Sequence, residues 1–101
     1  MNDLVVTEGN DSVLSLVADG SPTPTIEWFR NDVKVKTDKR IVAKTDDKTF
    51  SLNIIGTKAA DQGEYKAIIK NKMGQVESRK AALCVSGTIK ILIFLEEKNN
   101  L

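Results

Sequence analysis

The sequence predicts an all-β sandwich, and three observations carry that expectation. Apolar side chains recur at every second position in several short stretches. Clusters of Gly, Pro, Asn and Asp separate those stretches, and no segment sustains the period of an amphipathic helix. Successive side chains of a strand point to opposite faces, so alternation marks a strand with one buried side. Many short strands of this kind need a second sheet to cover their apolar faces.

The elements follow in order along the chain. Leu14, Leu16 and Ala18 alternate with Ser15, Val17 and Asp19, and Gly20-Ser21-Pro22-Thr23-Pro24 then interrupts with turn chemistry before Ile26 and Trp28 resume the two-residue period. Phe50, Leu52 and Ile54 alternate with Ser51 and Asn53, while Tyr65, Ala67 and Ile69 alternate with Lys66, Ile68 and Lys70. Asn71 to Gly74 reads as a tight turn, and Ala81, Leu83 and Val85 form the apolar face of the strand beyond it. Cys84 falls out of phase with Leu83 and Val85, so its side chain is expected to face outward.

Composition narrows the function classes. A chain of 101 residues fits one sandwich, a unit of about 100 residues. Its 15 basic and 14 acidic residues are interspersed, which gives no long-range field to capture nucleic acid or an anionic membrane, and neither is expected as a partner. Histidine is absent, and the single cysteine has no second thiol with which to form an internal disulfide. The commonest general base and metal ligand is therefore missing, and no enzyme activity, metal or cofactor is expected. Met1 to Glu8 has neither a basic start nor an apolar run, and no stretch reaches the length of a membrane span. Small secreted domains usually carry disulfides, so the reading is a reducing compartment and a cytoplasmic location.

Four motifs, in order, carry a resemblance. Asp61-Gln62-Gly63-Glu64-Tyr65-Lys66-Ala67 resembles the D-x-G-x-Y-x-C signature of immunoglobulin domains, with Ala67 at the place of the second cysteine. Gly20 to Trp28 resembles the G-x-P-x-P-x-I-x-W stretch joining strands B and C, which sets Leu16 at the place of the first cysteine and makes Trp28 the core tryptophan. Leu52-Asn53-Ile54 matches the L-x-I of strand E, and Asn71-Lys72-Met73-Gly74 the N-x-x-G hairpin between strands F and G. The match runs from about Leu4 to Ser86.

The resemblance implies an immunoglobulin-like Greek-key β-sandwich of two antiparallel sheets, of the intermediate (I-set) type and without an inter-sheet disulfide. It implies a core of Leu16, Trp28, Leu52, Ile54, Tyr65, Ala67, Ile69 and Leu83, in which Leu16 and Ala67 fill the space of two sulfurs by packing alone. It also implies a tyrosine corner at Tyr65, preceded by Asp61 and Gly63. Arg40 and Asp61 either pair to close one end of the sandwich or stand solvated; both readings are open. The domain spans residues 1–87, begins almost directly at strand A′ (about Leu4 to Thr7) and lacks strand A. Residues 88–101 form an extension with a β-prone apolar run, Thr88 to Leu95, which matches nothing in the family. That run pairs with a sheet edge, exchanges between two molecules to make a homodimer, or is a remnant of a linker.

The wording Glu64-Tyr65-Lys66-Ala67-Ile68-Ile69-Lys70-Asn71-Lys72-Met73-Gly74 is similar to cysteine-free modules of giant muscle proteins such as twitchin and titin. That similarity implies a non-catalytic structural and interaction module of a sarcomeric filament protein, flanked by immunoglobulin and fibronectin type III modules in a tandem array. Two alternatives stand beside it: an extracellular adhesion or receptor domain without its cysteines, and an accessory domain beside a muscle kinase. Asn10-Asp11-Ser12 fits the glycosylation acceptor pattern, which the adhesion reading would use. Lys34, Lys36 and the Lys39-Arg40 pair read as solvated faces rather than as a binding patch.

Overall fold

A computed structural model describes residues 1–87. The apolar run at 88–95, and with it the expected pairing or exchange, lies outside the described residues. The strands are β1 (Leu4–Thr7), β2 (Ser12–Val17), β3 (Thr25–Arg30), β4 (Val33–Lys34), β5 (Ile41–Asp46), β6 (Thr49–Ile54), β7 (Gly63–Asn71), β8 (Gly74–Glu77) and β9 (Ala81–Ser86), with one 3-10 turn at Ala59–Asp61. They form two sheets: a six-stranded one ordered β1-β9-β7-β3-β4 with β8 also on β7, and a three-stranded one ordered β2-β6-β5. All pairs are antiparallel except β1 with β9, which run parallel. The larger sheet is therefore antiparallel except at its β1 edge. Among the described residues β2 pairs with β6 alone, so no strand takes the place of strand A.

The two inner faces meet in one core. Leu14, Phe50, Leu52 and Ile54 come from the smaller sheet, and Trp28, Tyr65, Ala67, Ala81 and Leu83 from the larger; all are buried. Fully burying one such aliphatic or aromatic side chain stabilises the fold by about 1.5–3 kcal/mol relative to exposure. Register places the methyl of Ala67 directly beside the indole of Trp28. That small and large pairing fills the layer without a covalent bridge. The Trp28 Nε1 is buried and meets no acceptor among the described residues, so the indole contributes through packing.

Two residues expected at the centre lie at its margin. Leu16 and Ile69 are only partly buried and pack against the core from outside it, whereas Leu14 and Phe50 occupy the centre. For Leu16 the reason is the open side of β2, which has no neighbour on its outer flank among the described residues and leaves its end residues partly accessible; Ile69 lies instead near the end of β7, beside Ile26 and Val76.

Turns are specified by a few residues. Asn31 and Asp32 both adopt positive φ (50° and 65°) in the two-residue connection from β3 to β4, the geometry of a type I′ hairpin. The Asn31 N–H donates to the Glu64 carbonyl at 2.8 Å, and its Oδ1 accepts from the Glu64 N–H at 2.9 Å. A Cβ on Gly63 would stand 2.9 Å from Asn31 Nδ2 and 3.0 Å from its Oδ1. The glycine of the D-x-G motif is thus required by the close approach of this asparagine. Between β8 and β9 the ladder on β7 is bridged by Ser78, whose N–H donates to the Ala67 carbonyl and whose Oγ accepts from the Ala67 N–H, both at 2.8 Å.

Candidate functional site

At one end of the sandwich the 3-10 turn presents Asp61 to Arg40 and Tyr65. Asp61 is 4 % exposed. Its Oδ2 accepts from Arg40 Nη1 at 2.8 Å and from the Lys58 N–H at 2.7 Å, and its Oδ1 accepts from Arg40 Nη2 at 2.9 Å. A two-pronged guanidinium contact of this kind is geometrically specific and strong for an ion pair. Arg40 is in turn placed by Asp38, whose Oδ1 accepts from the Arg40 and Ile41 N–H groups at 2.8 Å each. The Tyr65 hydroxyl donates to the Asp61 carbonyl at 2.5 Å, and Arg30 donates to the Ala60 carbonyl. The open choice at Arg40 and Asp61 resolves to a closed pair.

The electrostatics follow from these contacts. The Arg40 hydrogen bonds hold Asp61 below the usual aspartate range against the opposing effect of burial, with the Lys58 N–H adding to the stabilisation. Arg40 is raised by the same partner. Burial pushes the Tyr65 phenol up. No step of acid or base chemistry is suggested: the carboxylate is locked by three donors. Among the described residues no group of three His, Cys, Asp or Glu side chains is placed to hold a metal, and no helix is long and apolar enough to cross a membrane. Cys84 is exposed.

Along one edge, β1 lies parallel to β9 with Leu4 beside Leu83 and Thr7 beside Ser86. Side chains and backbone extend this zipper: Asp3 Oδ1 accepts from the Ala82 N–H at 2.9 Å, and the Glu8 N–H donates to the Ser86 carbonyl at 2.7 Å. Beyond Thr7 the chain turns through Gly9, at φ 95°, into Asn10, whose carbonyl accepts from the Thr57 N–H at 2.8 Å. Asn10 is exposed, while Ser12, the last residue of the glycosylation pattern, is buried with its Oγ 2.6 Å from Thr57 Oγ1. Nothing in the sequence pattern pointed to that buried hydroxyl pair, because Ser12 and Thr57 lie 45 residues apart.

The outer face of the larger sheet carries interlocked charges. Glu27 meets Lys70 at 2.7 Å and Lys34 at 3.4 Å, and Lys66 meets Asp32 at 2.9 Å and Glu77 at 3.7 Å. Hydrogen bonds from Lys70 and then Lys34 lower the Glu27 pKa, and the bond from Lys66 lowers that of Asp32.

The sequence and fold both have close counterparts. Roundabout homolog 2 of Homo sapiens is 33 % identical over 92 residues, which covers 84 % of this chain and 7 % of that protein. The Titin homolog of Caenorhabditis elegans is 36 % identical over 77 residues, 76 % of this chain and, to the nearest per cent, 0 % of that protein. Neural cell adhesion molecule L1 of Homo sapiens is 37 % identical over 71 residues, 70 % of this chain and 5 % of that protein. The chain therefore spans only a small fraction of the length of the curated relatives it matches. Among solved structures, titin domain M7 aligns with a TM-score of 0.80 at 26 % identity, over 85 % of this chain and 87 % of that one. The immunoglobulin I-set domain family matches residues 1–85, which is most of the described chain, and to that family the chain belongs.

Proposed function

We propose that this domain is a non-catalytic structural and protein-interaction module of a large cytoskeletal filament protein of the sarcomere, set among further immunoglobulin and fibronectin type III modules and bearing tension along its length. The observation that carries the reading is the parallel register of β1 on β9. Leu4 begins that ladder beside Leu83, and Ser86 ends it beside Thr7, so tension between the two ends of the domain drags the strands past each other. Its hydrogen bonds are then strained together rather than opened in turn. The likeness to titin domain M7 and to the nematode Titin homolog supports the same reading, and with it a cytoplasmic location.

Forced unfolding of a tethered chain of identical copies tests it. Val6→Pro, which removes a backbone donor from β1, is expected to lower the unfolding force clearly. Val17→Thr, remote from that ladder, is expected to leave the force unchanged. Equal forces for the parent and Val6→Pro would overturn the mechanical role.

A second reading has its own support. The similarity to neural cell adhesion molecule L1 and the exposed Asn10 of an Asn-Asp-Ser pattern fit an extracellular adhesion module. A glycan found on Asn10 by mass measurement of the protein from its own tissue selects that reading over the filament one.

A further inference from the structure

We propose that the cleft beside β4 is a docking site for an extended acidic segment of a partner polypeptide, added along the open edge of β4. The inference stands apart from the mechanical reading, since a module of either kind of parent protein would carry it. It begins with a place in the fold. β4 is the last strand of its sheet and pairs with β3 alone among the described residues. Its ladder continues one step further, where the Val35 N–H donates to the Trp28 carbonyl at 2.9 Å. The outward side of this short stretch is left without a strand partner.

A cleft of about 380 Å³ lies between that edge and the turn carrying Asp61, lined by residues 33–36, Arg30 and Ile41 and floored by Tyr65 and the Arg40–Asp61 pair. Alternation puts Val33 and Val35 on one side of the strand and Lys34 and Lys36 on the other. A cleft lined by all four therefore takes in the edge of the strand as well as the side toward Tyr65, and an added strand would lie along that edge. Val33 is 69 % exposed, a large apolar side chain at an edge with nothing among the described residues covering it.

Charge identifies the occupant. Each carboxylate nearby is already committed: Asp61 to Arg40 and the Lys58 N–H, Asp38 to two backbone N–H groups, Glu27 to Lys34 and Lys70, and Asp32 to Lys66. Arg30 and Lys36 form no ion pair among the described residues, and Lys34 has only a share of Glu27. The cleft thus holds uncompensated positive charge in a chain whose net charge is only +1. An incoming strand that alternates acidic and apolar residues would set its carboxylates against Lys34 and Lys36 and its apolar side chains against Val33 and Val35. The two-residue repeat of both strands is the same, so the match extends over successive positions. Nucleic acid and acidic polysaccharide fit less well, because they offer no backbone to complete the strand edge and no apolar groups for the valines.

The test uses a blocked octapeptide of alternating glutamate and valine, its counterpart with lysine for glutamate, and a short single-stranded DNA. Binding is followed by amide chemical shifts of the isotope-labelled full chain. The glutamate peptide is expected to move the amides of residues 33–36 and Ile41, and to bind more weakly as salt is raised. Lys36→Glu, at an exposed position, is expected to weaken it about tenfold or more. Val33→Asp should weaken it as well, while Lys72→Glu on the distant hairpin should not. Shifts centred elsewhere, unchanged binding by Lys36→Glu, or equal binding of the lysine peptide or the DNA would each overturn the proposal.

Discussion

The outer faces of the two sheets are built from different chemistry, although their strands obey the same alternation. On the larger sheet, Glu27, Lys34, Lys66, Lys70 and Glu77 interlock in exposed ion pairs. On the smaller one, Val13, Ser15 and Val17 of β2 lie beside Asn53, Ser51 and Thr49 of β6 with no charge among them, charge entering only at Lys44 and Asp46 of β5, and Val17 is 74 % exposed. Among the described residues no ion pair joins its strands, and Asn53 Nδ2 donates instead to Ser51 Oγ at 3.0 Å, while Lys48 meets Asp19 only beyond the strand ends, at 3.1 Å. The fold is thus set by the inward positions, which both sheets share, while the outward positions differ without changing it. Water and salt reach the first face and weaken each of its pairs. On the second face, β2, unpaired on its outer side among the described residues, carries none of the charges that discourage edge association.

The comparison breaks first at what the two faces have in common. Trp28→Ala empties the layer beneath both sheets and is expected to cost about 3–5 kcal/mol, a large part of the roughly 5–15 kcal/mol that holds a domain folded. Denaturant titration followed by circular dichroism measures it, and an unchanged midpoint would sink the core assignment.

A smaller effect separates buried charge from surface charge. Asp61→Ala removes the carboxylate that accepts from Arg40 and Lys58, and is expected to cost about 2–3 kcal/mol. That is less than for a fully buried pair because the Arg40 side chain remains 29 % exposed. Its pH dependence has a definite sign. The folded pKa of Asp61 lies below the unfolded value of about 3.9, so the stabilisation is complete above that value and is lost as pH falls through the lower folded pKa. The parent should lose stability in that acid range more steeply than Asp61→Ala; parallel acid limbs would contradict the assignment.

The smallest effect sharpens the contrast between faces. Glu27→Gln is expected to shift the melting midpoint slightly at low salt and not at all at high salt, since its lysine partners are exposed. Val13→Thr on the uncharged strand β2 should show no such salt dependence. A large, salt-resistant loss for Glu27→Gln would mean that the ion pairs hold the sheet together.

Much of this architecture was legible in the residues. Alternation located β2, β3, β6, β7 and β9, because a half-buried strand writes its period directly into hydropathy. The Asp61-x-Gly63-x-Tyr65 motif located the turn where the tyrosine hydroxyl reaches the Asp61 carbonyl. What failed was contact between residues far apart in the chain. Aligning Leu16 with a cysteine position favoured it over Leu14 and Phe50, and only the packing of one sheet on the other tells these neighbours apart. Nothing in the sequence singles out Asn31, whose role appears only when Gly63 and Glu64 are brought against it. Lys34 and Lys36 read as solvated until Arg30 and Ile41 are folded beside them around one cleft. Arg40 and Asp61 stood undecided because their meeting depends on the course of two connections.

The break at Ser78 also has a consequence for parity. β7 is matched to β8 and to β9 in registers that differ by one residue, so the strand carries a single extra residue between Glu77 and Ala81. That insertion inverts the phase of everything downstream and is what turns Ala81 and Leu83 toward the interior. Had the β8 register instead run on through these same residues, Lys80 would stand opposite Tyr65, with Cys84 turned inside and Leu83 into water. The side on which the lone thiol of this domain stands is thus decided by a miscount of one.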